Sequence, residues 1–154
     1  MMKKVILAIA LTVATLHANV TISSTSYQEK VKVNEAGEKV TSWAKADKVV
    51  PGAIVRYLNV VENTGTQIAN KLIVNNPIPE NMEYVAETAS CLAGCSITYS
   101  VDGGATFQEA SELFVETATE RHLAKASEYT DIRWVIERLP AMSETHVEYQ
   151  AQLK

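Results

Sequence analysis

The sequence predicts an all-β protein built as an antiparallel sandwich, and three observations carry that expectation. Apolar side chains recur at every second position through Ile97, Tyr99 and Val101, through Ile132, Trp134 and Ile136, and through Val147, Tyr149, Ala151 and Leu153, the period of a strand with one buried face. Turn-forming residues (Pro51-Gly52, Asn63-Thr64-Gly65 and Asp102-Gly103-Gly104) punctuate the chain between strand-like runs at the short spacing of a sandwich. The chain has 154 residues, 47% hydrophobic and 21% charged, which is ordinary globular composition and enough for one core in one domain.

The first element is a leader rather than part of the fold. Met1-Met2-Lys3-Lys4 forms a basic head, Val5 to Leu16 an uncharged, mostly apolar run, and His17-Ala18 a small-residue end, the pattern of a cleavable secretory signal peptide over residues 1–18. The run of about 12 residues is far shorter than the roughly 20 that a membrane-spanning helix requires. Cleavage is expected after Ala18, with Ala14 as the alternative, and no later segment supplies a transmembrane anchor. The leader holds two of the 14 basic residues and no acid, so the remainder carries 12 basic against 18 acidic groups, a formal net of −6. That balance repels phosphate backbones and argues against nucleic acid as a partner.

Residues 19–49 read as an N-terminal strand and hairpin extension. Val20, Ile22, Val31 and Val33 alternate in part, Asn34-Glu35-Ala36-Gly37 supplies the turn, and Glu38 to Val49 returns. Trp43 is expected to cover one end of the core. Residues 50–154 form the main domain. After Pro51-Gly52, Val55, Tyr57 and Val61 share one face with Asn59 among them, while Leu58 and Val60 share the other. Apolar residues on both faces mark a central strand. Ile68 to Asn75 returns, and Pro77-Ile78-Pro79 ends it because proline removes ladder donors. Asp102-Gly103-Gly104 is a hairpin signal, Leu113 to Val115 a short strand, and Ala118 to Ser127 a loop carrying a turn or two of helix. Tyr129 to Arg138 and Thr145 to Leu153 close the sandwich.

Export gives the two cysteines a meaning. Cys91 and Cys95 are the only pair, in a compartment where disulfides persist. Closing so short a loop contributes on the order of 2 kcal/mol. The spacing is neither that of a redox Cys-x-x-Cys motif nor accompanied by clustered histidines for a metal.

The runs VVPGAIVRYLNVVENTG, IANKLIVNNPIPENMEYV, YSVDGG and YTDIRWVIERLP together resemble the bacterial conserved-repeat family, an Ig-like β-sandwich known as domain of unknown function eleven, across about residues 47–153. The resemblance implies that Pro51-Gly52 opens a core strand containing Tyr57, that Asn63-Thr64-Gly65 makes the following turn, that Pro79 marks a strand exit, and that Trp134 belongs to the shared core pattern. It also implies an exported or cell-envelope protein with no shared catalytic residues. The chain departs from the family at Ala53 and Asn76, where Asp is usual, at Asn59, where an apolar residue is usual, and in the late turn Leu139-Pro140-Ala141-Met142.

Chemistry is sparse. Beyond the leader only His122 and His146 remain, His146 pointing outward by alternation with Val147, and no serine lies in a nucleophile-elbow context. Asp102-Gly103-Gly104 lacks the regularly spaced oxygen ligands of a calcium loop. The expectation is therefore no enzyme, no cofactor and no metal site, but an Ig-like module of the periplasm or cell surface that contacts envelope proteins, docking by an exposed sheet edge. The alternative is a glycan- or metal-binding module using Trp43, Tyr129 or His122.

Overall fold

The computed structural model describes residues 19–92 and 94–154; the expected leader and its cleavage site lie outside them. Eleven strands are present among the described residues: β1 Val20–Val33, β2 Lys39–Lys45, β3 Ile54–Asn63, β4 Ala69–Pro77, β5 Met82–Tyr84, β6 Ser90–Cys91, β7 Cys95–Ser100, β8 Phe114–Glu116, β9 Arg121–Leu123, β10 Asp131–Leu139 and β11 Ser143–Leu153. Among the described residues the only helical piece is a 3-10 turn at Ala126–Glu128. No helix among the described residues is long and apolar enough to cross a membrane.

The larger sheet runs β2-β1-β3-β11-β5, with β6 also on β11, and the smaller runs β4-β10-β7. Every pairing is antiparallel. Apolar alternation tells why the two sheets face each other: Val55 and Val61 of β3, Val147, Tyr149 and Ala151 of β11, and Ile132, Trp134 and Ile136 of β10 are all buried in one cluster. Burying a side chain of this size contributes roughly 1.5–3 kcal/mol, so an all-β chain of this pattern closes around β10. Trp134 is fully buried at the centre. β3 is central, flanked by β1 and β11, and its faces fall as the alternation predicts.

The N-terminal hairpin forms, and it is built into the larger sheet. Nine residues of β1, Val20 to Gln28, pair with β3, and Tyr27 to Val33 pair with β2. Beyond Gln28, β1 and the residues of β2 paired with it there, 39–43, thus project past β3 as a two-stranded arm.

Three local expectations are corrected. Trp43 does not cover the core: it sits opposite Glu29, on the face of the sheet turned away from the sandwich, with the Arg56 guanidinium 4.9 Å from its ring centroid. The same Arg56 lies 5.2 Å from the Tyr27 ring centroid. A cation over an aromatic face holds the ring in a half-exposed position that alternation alone does not reveal. Asp102-Gly103-Gly104 does not make a tight hairpin, because β7 pairs with β10 and returns to its own continuation only at a bridge between Tyr99 and Gln108. The Asp102 carboxylate organises this loop, accepting from the Ser100 hydroxyl at 2.6 Å, the Thr106 hydroxyl at 2.6 Å and the Thr106 N–H at 3.0 Å. Those bonds hold its pKa well below the usual carboxylate range, Ser100 contributing most. In Ala118 to Ser127 the expected helical turn is confined to the 3-10 piece; Arg121–Leu123 pairs instead with Phe114–Glu116 as a small hairpin.

Candidate functional site

The residues singled out from the sequence occupy joints of the sandwich. Gly52 has φ +85, a left-handed turn position where glycine carries no Cβ penalty. Its N–H donates to the Leu153 carbonyl at 2.7 Å, and the Leu153 N–H donates to Ala53 O at 3.0 Å, so Pro51-Gly52 splices the start of β3 to the end of β11. Tyr57 stacks on Tyr149 with centroids 4.9 Å apart. The Pro79 carbonyl accepts from Met82 N at 2.8 Å, turning the chain from β4 into β5. Cys91 and Cys95 form the disulfide, Cα to Cα 6.5 Å. Cys91 belongs to β6 on the larger sheet and Cys95 to β7 on the smaller, so the bond ties the two sheets together.

Asn63 does more than make a turn. Its side chain is fully buried, Nδ2 donating to Gln67 O at 2.8 Å, Pro140 O at 3.0 Å and Leu139 O at 3.2 Å, while Oδ1 accepts from Gly65 N at 3.1 Å. One amide therefore joins the β3–β4 turn to the β10–β11 turn. Met142 N donates to Gly65 O at 3.2 Å across the same joint.

Trp43, Tyr129 and His122 are not gathered into one site. Trp43 stands on β2. Tyr129 belongs to an aromatic chain, 4.6 Å from Tyr99 and 5.8 Å from Tyr84 between centroids, continued through Tyr149 to Trp134. Burial pushes the Tyr99 and Tyr149 phenols upward. Tyr129 lines a shallow cleft of about 270 Å³ with Tyr84, Tyr99 and Glu87; Trp43 and His122 do not. His122 lies between two carboxylates, Nε2 2.9 Å from Glu128 Oε1 and Nδ1 3.0 Å from Glu120 Oε1. The Glu128 carboxyl is held below its ordinary value, chiefly by the Lys125 N–H and next by His122. This cluster pins the 3-10 turn. No group of three or more His, Cys, Asp or Glu among the described residues is placed to hold a metal ion.

What remains open is the flank of the larger sheet. The bonds Asn34 N to Glu38 O and Ala46 N to Ser26 O place the even-numbered residues of β1 on the β2 side, because ladder hydrogen bonds alternate along an antiparallel pair. β2 covers β1 only from Tyr27 onward. The N–H and C=O groups of Ile22 and Ser24 therefore point along an edge that no strand among the described residues covers. Ile22 lies opposite Val61, in phase with the core, yet is 51% exposed. Beside it a recess of about 230 Å³ is lined by Ser24, Thr25, Ser26, Tyr57, Leu58, Asn59 and Asn76. Asn59, 1% exposed, accepts from the Ser24 hydroxyl at 2.6 Å, and its Nδ2 has no partner among the described residues. The apolar-phase position of Asn59 is the one sequence signal that pointed here; the uncovered half of β1 had none.

Comparison with protein-family models, with curated proteins and with solved structures gave no match.

Proposed function

We propose that this chain is an exported, Ig-like, non-enzymatic module of the bacterial cell envelope that works by protein contacts made along the open flank of its larger sheet. The carrying observation is that flank: a 14-residue strand covered, among the described residues, over only half its length by an edge strand, with backbone donors and acceptors left open beside the exposed Ile22. Edges of this kind recruit extended segments of other proteins. The leader pattern and the disulfide support an oxidising compartment, and the likeness to conserved-repeat modules supports an envelope role. A glycan- or metal-binding role through Trp43, Tyr129 or His122 has less behind it, since Arg56 already covers one Trp43 face and the three residues stand on different elements.

Photo-crosslinking in envelope preparations tests the proposal. A benzophenone side chain is placed at Ile22 on β1, Thr41 on β2 or Ile73 on β4, and the mature N-terminus is read by mass spectrometry. Discrete adducts from at least one edge, with residue 19 as the first of the processed chain, are expected. A chain retained unprocessed in the cytoplasm, or a monomer giving no adduct at any edge, overturns it.

A further inference from the structure

We infer that the uncovered N-terminal half of β1 is a strand-acceptor site for an extended segment of a partner protein, and that this segment inserts a carboxamide side chain, Gln or Asn, into the recess at Asn59. The inference rests on the proposed contact function and specifies where and with what chemistry the contact is made.

Two independent features converge. The first is the contrast between edges. β2 carries Lys39 and Lys45 at its two ends, and β4 carries Lys71 and ends at Pro77; charged and proline residues are the usual guards of an exposed edge. Val20 to Ser26, by contrast, reads VTISSTS without a single charge. Among the described residues, the outward N–H and C=O groups of its Ile22 and Ser24 have neither a partner strand nor a guard. A strand laid against it would continue the plane of β2, cover the half-exposed Ile22, and turn alternate side chains inward past Ser24.

The second feature is the orphaned amide. Asn59 Nδ2 is buried without an acceptor among the described residues, and leaving such a donor unmet is costly. The residues around the recess carry no charge: Ser24, Thr25, Ser26, Tyr57, Leu58, Asn59 and Asn76. A carboxylate entering there would lose its hydration without gaining a cation. A carboxamide suits the site, its carbonyl accepting from Asn59 Nδ2 while its own NH2 donates to the Ser24 hydroxyl or to Asn76. A second copy of this chain offers nothing equivalent by the same edge, because the inward residues of its uncovered half, namely Val20, Ile22, Ser24 and Ser26, bear no carboxamide, and the next inward residue, Gln28, is buried between Val55 of β3 and Ala44 of β2. Pairing this edge with itself leaves Asn59 unsatisfied.

The test tethers a probe strand, because a linked segment acts at an effective concentration in the millimolar range and weak binding cannot then hide the site. The sequence TVTQTVT is joined ahead of Asn19 through a short Gly/Ser linker, long enough to fold back along β1, and compared with TVTLTVT, with TVTETVT and with the unextended chain. Amide hydrogen exchange of Ile22 and Ser24 is expected to slow at least about tenfold with the Gln strand, and the Asn59 side-chain NH2 resonance to shift. The Leu and Glu strands protect about tenfold less, the loss expected when a buried donor is left unmet. Ile22→Pro removes one outward N–H while leaving the β3 ladder, which uses odd-numbered residues of β1, and abolishes the protection; its own thermal melt reports whether the fold persists.

Unchanged exchange with every strand overturns the inference, as does equal protection by Gln and Leu, which would mean that the recess reads no side chain. Concentration-dependent protection of Ile22 in the unextended chain would make a second copy the occupant and likewise overturn it. Crosslinks from Thr41 or Ile73 alone would leave the contact function standing while removing this site.

Discussion

Replacing Asn63 is the most informative perturbation of this fold, because one buried amide joins turns from both sheets. Asn63→Ala removes the two N–H donors shared among Gln67 O, Pro140 O and Leu139 O, and the Oδ1 acceptor of the Gly65 N–H. Three hydrogen bonds at about 1 kcal/mol net each give roughly 3 kcal/mol, and buried groups left unmet push the figure upward rather than down. Against a typical total of about 5–15 kcal/mol, this is a large fraction. For a domain of this size it lowers the melting temperature by about 10 °C. Asn63→Asp sharpens the argument. It keeps the acceptor for Gly65 but turns a carboxylate toward three carbonyl oxygens in a site with no exposure, so its folded pKa rises above the unfolded value of about 3.9. A group raised in the folded state is tolerated below its unfolded pKa, and stability is lost as pH rises through the folded value. Asn63→Asp is therefore less stable than Asn63→Ala at pH 7 and recovers on acidification. Urea denaturation followed by Trp fluorescence at pH 7 and pH 4 measures both. A loss under about 1 kcal/mol for Asn63→Ala, or an Asn63→Asp deficit indifferent to pH, would refute the clamp.

Other expectations follow from single features. Gly52→Ala places a Cβ where nothing lies within 4 Å, so its cost is the left-handed backbone alone, about 1–2 kcal/mol; a thermal melt equal to that of the parent contradicts this. Replacing Cys91 and Cys95 together by Ser releases a loop with a sequence separation of 4 and lowers stability by roughly 2 kcal/mol, to be compared with the parent under oxidising and reducing conditions; a loss near zero contradicts the loop-entropy account. Trp134→Ala empties the centre of the core and costs about 3–5 kcal/mol, measurable by chemical denaturation monitored by circular dichroism. The Asp102 carboxyl is depressed below its ordinary 3.8, so its contribution is fully present above that value and lost as pH falls through the folded pKa. Asp102→Asn accordingly flattens the acid limb of a stability profile taken from pH 5 to pH 2, and an unchanged limb would argue against the Ser100 and Thr106 contacts.

The residues show where legibility ends. Tyr57 and Val61 announced their face by alternation, and Gly52 its turn by chemistry, because both signals lie within a few positions of the residue concerned. Trp43 misled because its position depends on Arg56, thirteen positions on, and the Asp102 loop because β7 chose β10 over its own continuation. The dual role of Asn63 was invisible, since its carbonyl partners at Leu139 and Pro140 are 76 and 77 positions away.

By itself the sequence determined the class of backbone, the strand phases, the turn positions, the sparse chemistry and a single cysteine pair, all properties of side chains read against their neighbours. Only the tertiary structure decided that the N-terminal hairpin joins the larger sheet, that the disulfide crosses between sheets, and that half of β1 is left bare beside an unpartnered amide. Backbone N–H and C=O groups are nearly the same at every residue, so strand order is set by how distant segments pack together, and that packing exists only once the chain has closed.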